Sequence, residues 1–252
     1  MMQSIGWAAL GTGFTFGMTT LGAAMVFLFT DAPHPRAQKA MLGFAAGVMT
    51  AASVWSLLLP SIDRAEELGR WPVWFPAAVG MLLGVFFLAA LDGVLPRLRG
   101  NRHAEDENWQ RQTLLAAAIT LHNVPEGMAV GLAFALAVGG DSFAGATALA
   151  LGIGIQNFPE GAAIALPLRE KGRWHAFRSG MLSGIVEPVF GILVVLAAGW
   201  AEGMMPWFLS FAAGAMLYVV VEELVPQAHS RAGTCGFVTG FLVMMVLDVA
   251  LG

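Results

Sequence analysis

Residues 122–127 read HNVPEG and residues 156–161 read QNFPEG. Each motif interrupts a long run of Ala, Gly, Leu, Ile and Val that otherwise has the composition of a helix in lipid. A bilayer-crossing helix needs about 20 predominantly apolar residues, and both runs supply them. The reading of the whole chain turns on why two such helices carry the same glutamate, amide and proline.

The surroundings fix the class. Of the 252 residues, 57% are hydrophobic and 12% charged, against roughly 45–50% and about 25% in soluble domains. This is the composition of an all-α integral membrane protein, with the lipid bilayer as its first partner. There is no long basic or acidic run, so no nucleic-acid partner is expected. The single Cys235 has no partner for a disulfide or a thiolate metal site and reads as a packing residue.

Cutting the chain at its charged and Pro/Gly-rich breaks predicts eight spans, approximately 5–29, 38–62, 72–95, 112–139, 143–167, 174–200, 205–228 and 233–252. The first stretch has no basic start and stays uncharged to Asp31, too long for the apolar part of a signal peptide, so it is expected to remain as span one. The links are short, which makes residues 1–252 a single domain with one polar link at 97–112, expected to be flexible and cytosolic.

Eight spans put both termini on one side. The links after spans one, three, five and seven carry Arg36, Lys39, Arg97, Arg99, Arg102, Arg111, Arg169, Lys171, Arg173, Arg178 and Arg231; the others carry only Arg64 and Arg70. Basic residues favour the cytosolic side, so both termini are expected outside the cytosol in a multi-pass protein of the cell (inner) membrane. Small-xxx-small pairs such as Gly43–Gly47 and Gly180–Gly184 read as helix packing.

Glu126, Glu160 and Glu187 fall near the middle of spans four, five and six. Each ionised side chain at that depth costs about 2.5–3.5 kcal/mol unless compensated. No Lys or Arg lies at the centre of any span, so compensation must come from protons or a bound cation. His122 with Glu126, and Gln156 with Glu160, are four residues apart and share a helix face. Asn123 and Asn157 add further oxygens, and Pro125 and Pro159 should free the carbonyls of Leu121 and Ile155 and kink both helices. The short GGDS link makes the two spans antiparallel neighbours, so the motifs can face each other across one polar chamber. An imidazole with carboxylates and amide oxygens suits Zn²⁺, and also Fe²⁺, Mn²⁺ or Cd²⁺, better than Ca²⁺ or Mg²⁺. Met49 of span two could add a soft ligand, although with 14 methionines in the chain most are filler.

Together with SGIVEP at 183–188, GFAAGVMTAASVWSLLLPSID in span two and YVVVEELVP in span seven, these motifs resemble the ZIP family of divalent-metal transporters, most closely its prokaryotic branch. The resemblance covers essentially the whole chain. It implies transport of zinc or a related ion towards the cytosol by alternating access, an often dimeric assembly, and a 3+2+3 arrangement in which spans one to three and six to eight are inverted repeats around four and five. The implied metal shell is His122, Asn123, Glu126, Gln156, Asn157 and Glu160, completed by Glu187 and Met49, with Glu222, Glu223 and His229 nearer the cytosolic exit. The implied motion slides spans one, four, five and six against the rest. Some relatives carry Asp where this chain has Asn157, which puts a second bound metal in question here. The polar link has only His103 beside Glu105, Asp106 and Glu107, and reads as solvated loop.

Two other classes compete with this reading. An intramembrane metalloprotease would need a pattern such as H-E-x-x-H, which is absent, so no enzymatic activity and no catalytic cofactor are expected. A proton-coupled carrier of a small organic solute would use the glutamates as relays.

Overall fold

The computed structural model describes residues 2–28, 34–98, 107–140, 142–166, 168–169, 172–200 and 203–251; within these, the side chains of 91–98, 107–122, 163, 199, 200 and 251 lie outside the description. The described residues form eight helical rods. Span one is α1 (Met2–Ala24), extended by a 3₁₀ turn at Met25–Phe27. Span two joins α2 (Pro35–Ala52) to α3 (Leu59–Leu68) through a π-helical segment, Ser53–Leu58. Spans three, four and five are α4 (Trp74–Leu98), α5 (Glu107–Gly139) and α6 (Phe143–Ala165). Span six is α7 (Arg173–Gly184) and α8 (Val186–Trp200); span seven is α9 (Met205–Val219) and α10 (Val225–Ala228) with a second π-helical segment, Val220–Leu224, between them; span eight is α11 (Arg231–Leu251).

Among the described residues five rods are long and apolar enough to cross a bilayer: Met2–Phe27, Pro35–Leu68, Arg173–Ala198, Met205–Ala228 and Arg231–Ala250. Span five is absent from this set although α6 has 23 residues, because Gln156, Asn157 and Glu160 lower its hydropathy. Part of the polar link is helical, since α4 runs to Leu98 and α5 begins at Glu107. The rest of it, with His103, Glu105 and Asp106, lies outside the described residues.

The prolines divide by their place in the rods. Helices α5 and α6 continue through Pro125 and Pro159 without a break. Span six breaks instead, at Ile185, whose N–H turns back to the Leu182 carbonyl. Pro188 sits four residues after Gly184 and has no N–H to return to it, which ends α7 there. Pro60 and Pro226 stand just beyond the two π-helical segments in the same way, and each segment closes with a wide turn, from Leu59 N–H to Val54 and from Val225 N–H to Val220. Spans two and seven thus share one irregularity at corresponding places.

Packing repeats this correspondence. Span two lies chiefly on span eight and span three on span seven; span one lies chiefly on span five and span four on span six. Exchanging one with six, two with seven, three with eight and four with five maps these pairs onto one another, as inverted repeats require. The small-residue patterns serve close packing: Gly43 and Gly47 lie against the backbone of Gly233 and Phe237, and Gly180 and Gly184 against Ala23 and Thr19 of span one.

Candidate metal centre

Helices α5 and α6 bring their motifs face to face inside the bundle. Asn123, Glu126, Gln156, Asn157 and Glu187 are completely buried, and Glu160 is 8% exposed. The amide of Gln156 donates to Oε1 of Glu126, joining the two motifs. Asn157 Nδ2 donates to Glu187 Oε2 at 3.0 Å, and Asn123 Nδ2 to the Ser183 carbonyl at 3.0 Å, tying both motifs to span six. Glu160 and Glu187 lie close enough to Glu126 to act on it electrostatically.

These bonds fix which way each amide points. A carboxylate or a carbonyl only accepts, so in all three amides the NH₂ must face the protein partner. The oxygens Asn123 Oδ1, Gln156 Oε1 and Asn157 Oδ1 are left without a hydrogen-bond partner, as are Glu126 Oε2 and Glu160 Oε1. Buried acceptors are rarely left unmet, and five on two facing helices form a set of lone pairs suited to a cation. Among the described residues no three His, Cys, Asp or Glu side chains form a metal cage by themselves. Neutral amide oxygens alternate with the carboxylates here, and the side chain of His122 lies outside the description.

The backbone around this set is held by the two PEG glycines. A Cβ on Gly127 would run into the backbone of Glu187, and one on Gly161 into the Thr19 carbonyl. Only glycine lets spans six and one approach this closely. Thr19 was not legible as a site residue. Its hydroxyl lies 3.1 Å from Glu187 Oε1, and the one signal in the sequence is the Thr12, Thr15, Thr19 stripe along one face of an apolar span.

The remaining expected residues spread along the bundle. Met49 is fully buried in span two, which packs on span five. Glu223, in the second π-helical segment, lies close enough to Glu160 to act on it. Glu222 and His229 are exposed, and the His229 carbonyl accepts from Lys39 Nζ at 3.2 Å.

At the opposite end a cavity of about 490 Å³ is lined by Trp55, Ser56, Asp63, Arg64, Glu67 and Asp248, among others. Ser56 Oγ donates to Asp248 Oδ1 at 2.7 Å, and Asp248 Oδ2 is buried without a partner. Asp248 was also missed from sequence, where an acid near the end of span eight looks like an interfacial residue. Between cavity and motifs, the turns of α5 and α6 carry Val130, Leu149 and Ile153, all fully buried in one apolar core with Met49 and Ala52.

With this geometry established, comparison with known sequences is decisive about ancestry. The family profile described as ZIP zinc transporter matches residues 101–248. The chain is 39% identical to zinc transporter ZIP11 of Xenopus tropicalis, with 96% of each chain covered. It is 40% identical to zinc transporter ZIPB of Bordetella bronchiseptica, over 98% of this chain and 82% of that one. It is 35% identical to zinc transporter GufA of Myxococcus xanthus, over 97% and 99%. Bacterial and animal relatives each match 96% or more of this chain, and the chain therefore belongs to the ZIP zinc transporter family.

Proposed function

We propose that this protein carries Zn²⁺ across a cell membrane towards the cytosol, binding it on the way at Asn123, Glu126, Gln156, Asn157 and Glu160, with His122 on the same face of α5 and Met49 beside them. The observation that carries the reading is the set of five buried side-chain oxygens without partners, with every amide NH₂ turned onto protein. Two carboxylates with neutral oxygens can strip water from a divalent ion without holding it as tightly as an all-carboxylate cage. Release on the far side requires that moderation.

The excess of basic residues in the links after spans one, three, five and seven supports an Asp63–Asp248 cavity that faces outward and a Glu223 towards the cytosol. The cavity then collects the ion, the apolar turns at Val130, Leu149 and Ile153 separate it from the chamber, and Glu160 with Glu223 leads inward. A site sealed on one side and reached from the other is what alternating access requires. Sliding of spans one, four, five and six against the others, which pack chiefly among themselves, would exchange the two.

The test is uptake of Zn²⁺ into proteoliposomes containing the purified chain, with Fe²⁺, Mn²⁺ and Cd²⁺ as competitors. Saturable uptake suppressed by competing ions is expected. Vesicles no more permeable to Zn²⁺ than protein-free controls would refute the reading.

A further inference from the structure

The apolar wall between the Asp63–Asp248 cavity and the metal chamber contains a sulfur that belongs to neither. Met244 of α11 is fully buried, in the same core as Met49, Leu149 and Ile153. Its Sδ fills the space over Gly152 of α6. A Cβ on that glycine would run into the sulfur, with the Met244 methyl carbon 3.4 Å and Val48 Cγ1 3.6 Å away. The sulfur, rather than the methyl, is thus the atom turned onto span five.

Both helices place this contact on the way from cavity to chamber. On α11, Gly236 and Gly240 lie against the backbone of Ala40 and Phe44 in span two, and the next residues at the same spacing are Met244 and Asp248. Met244 therefore stands one turn, about 6 Å, from the acid that lines the cavity. A helical side chain leans towards the N-terminus of its helix, which carries the sulfur away from Asp248 and towards the chamber. On α6, Gly145, Leu149, Gly152, Gln156 and Glu160 follow one face. Gly145 lines the cavity, and Gln156 and Glu160 belong to the chamber.

We propose that Met244 is a specificity-determining residue: its thioether is a soft way-station for the ion between the Asp248 carboxylate and the chamber, in a notch that Gly152 keeps open. This rests on the transport reading above. Sliding of span five past span eight would part α6 from α11 and uncover the sulfur midway between Asp248 and Gln156. An ion there has left most of its water behind. The carboxylate before it attracts every divalent cation alike, and the carboxylate and amide oxygens after it suit hard ions as well as borderline ones. A thioether donates well to soft Cd²⁺, less to Zn²⁺ and hardly at all to Mn²⁺. Discrimination therefore begins before the chamber.

The experiment measures Zn²⁺ uptake into proteoliposomes containing the full-length chain, with Cd²⁺ or Mn²⁺ as competitor and unfolding temperature read in parallel. Met244→Leu nearly conserves volume and removes the sulfur. It should raise the Cd²⁺ concentration that halves Zn²⁺ uptake about fivefold, while the corresponding Mn²⁺ concentration stays within about twofold. Met244→Cys, which keeps a sulfur, should retain the Cd²⁺ preference. Met81→Leu, on α4, which packs chiefly on α9, should change neither value. Unchanged Cd²⁺ competition in Met244→Leu would overturn the proposal. So would an equal shift for Cd²⁺ and Mn²⁺, or equal loss of uptake for every ion, either of which makes Met244 a packing residue. If Met244→Leu yields no folded protein, the Met244→Cys protein decides, and loss of its Cd²⁺ preference counts against the sulfur. An unaltered chain that moves Zn²⁺, with any of these adverse results, sinks only this inference; an unaltered chain that moves none sinks the transport reading with it.

Discussion

Ser56 in span two and Asp248 in span eight meet through a 2.7 Å hydrogen bond that leaves the second Asp248 oxygen buried and unpaired beside the cavity they line. An acid held there raises the local concentration of cations without taking part in the chamber. Asp248→Asn should raise the Zn²⁺ concentration for half-maximal uptake several-fold and leave the maximal rate nearly unchanged. Initial rates in proteoliposomes over a range of Zn²⁺ check this, and the difference should shrink at high ionic strength.

Glu126 and Glu160 each offer a charged oxygen that no neighbour replaces. Glu126→Ala and Glu160→Ala should reduce Zn²⁺ uptake about a hundredfold or more while the protein still inserts and purifies as a folded species. His122→Ala should shift preference among Zn²⁺, Mn²⁺ and Cd²⁺ more than it lowers the total, because the remaining set is richer in hard oxygen. Competitive uptake separates the two kinds of effect. Wild-type transport by a well-expressed Glu160→Ala protein would make the span-five motif structural.

Asn157 donates to Glu187 where an aspartate would face it with like charge. Asn157→Asp sets two carboxylates together, a repulsion that a further cation relieves. Metal analysis of the purified protein should rise from near one Zn²⁺ per chain towards two, with slower turnover as release becomes harder. Two ions per chain before the substitution, and no change after it, would show that this position does not tune occupancy.

The glycine of the first PEG motif is a packing residue as well as part of the signature. Gly127→Ala drives a methyl into the Glu187 backbone, and overpacking of this kind costs about 1–3 kcal/mol. A lower unfolding temperature and a poorer yield of monodisperse protein are expected. The same substitution at Gly6, which has open space around it, should leave both unchanged.

The assigned sidedness has its own check. In a background lacking Cys235, Glu66→Cys at the end of α3 should react with an impermeant thiol reagent added to intact cells, and His175→Cys at the start of α7 should not. Both positions are exposed. Reversed labelling would invert the direction of transport.

What the sequence made legible follows from contrast. Glu126, Gln156 and Glu160 stand out because polar residues in apolar runs are expensive, and their spacing of four puts them on helix faces that do meet. Thr19 was hidden because threonine in a lipid-facing helix satisfies itself on its own backbone, as Thr12 does on Ala8 at 2.7 Å. Its use depends on Glu187, 168 positions away. Prolines were visible, but not which of them would end a helix. The same residue type passes within α5 and α6, ends α7 and follows a π-helical segment in spans two and seven, and only the surrounding helices decide which.

Those two π-helical segments have a geometric consequence. A π turn holds about one residue more than an α turn, so everything beyond it is rotated by roughly 100° about the helix axis. In span two that rotation aims Asp63 and Glu67 of α3 into the same cavity as Ser56. In span seven the segment itself bears Glu222 and Glu223. A regular helix with the same sequence would keep Met49 where it is and swing the acids of α3 away towards lipid. One surplus residue per repeat thus gives each mouth of the pathway its charge while the middle of both spans stays apolar.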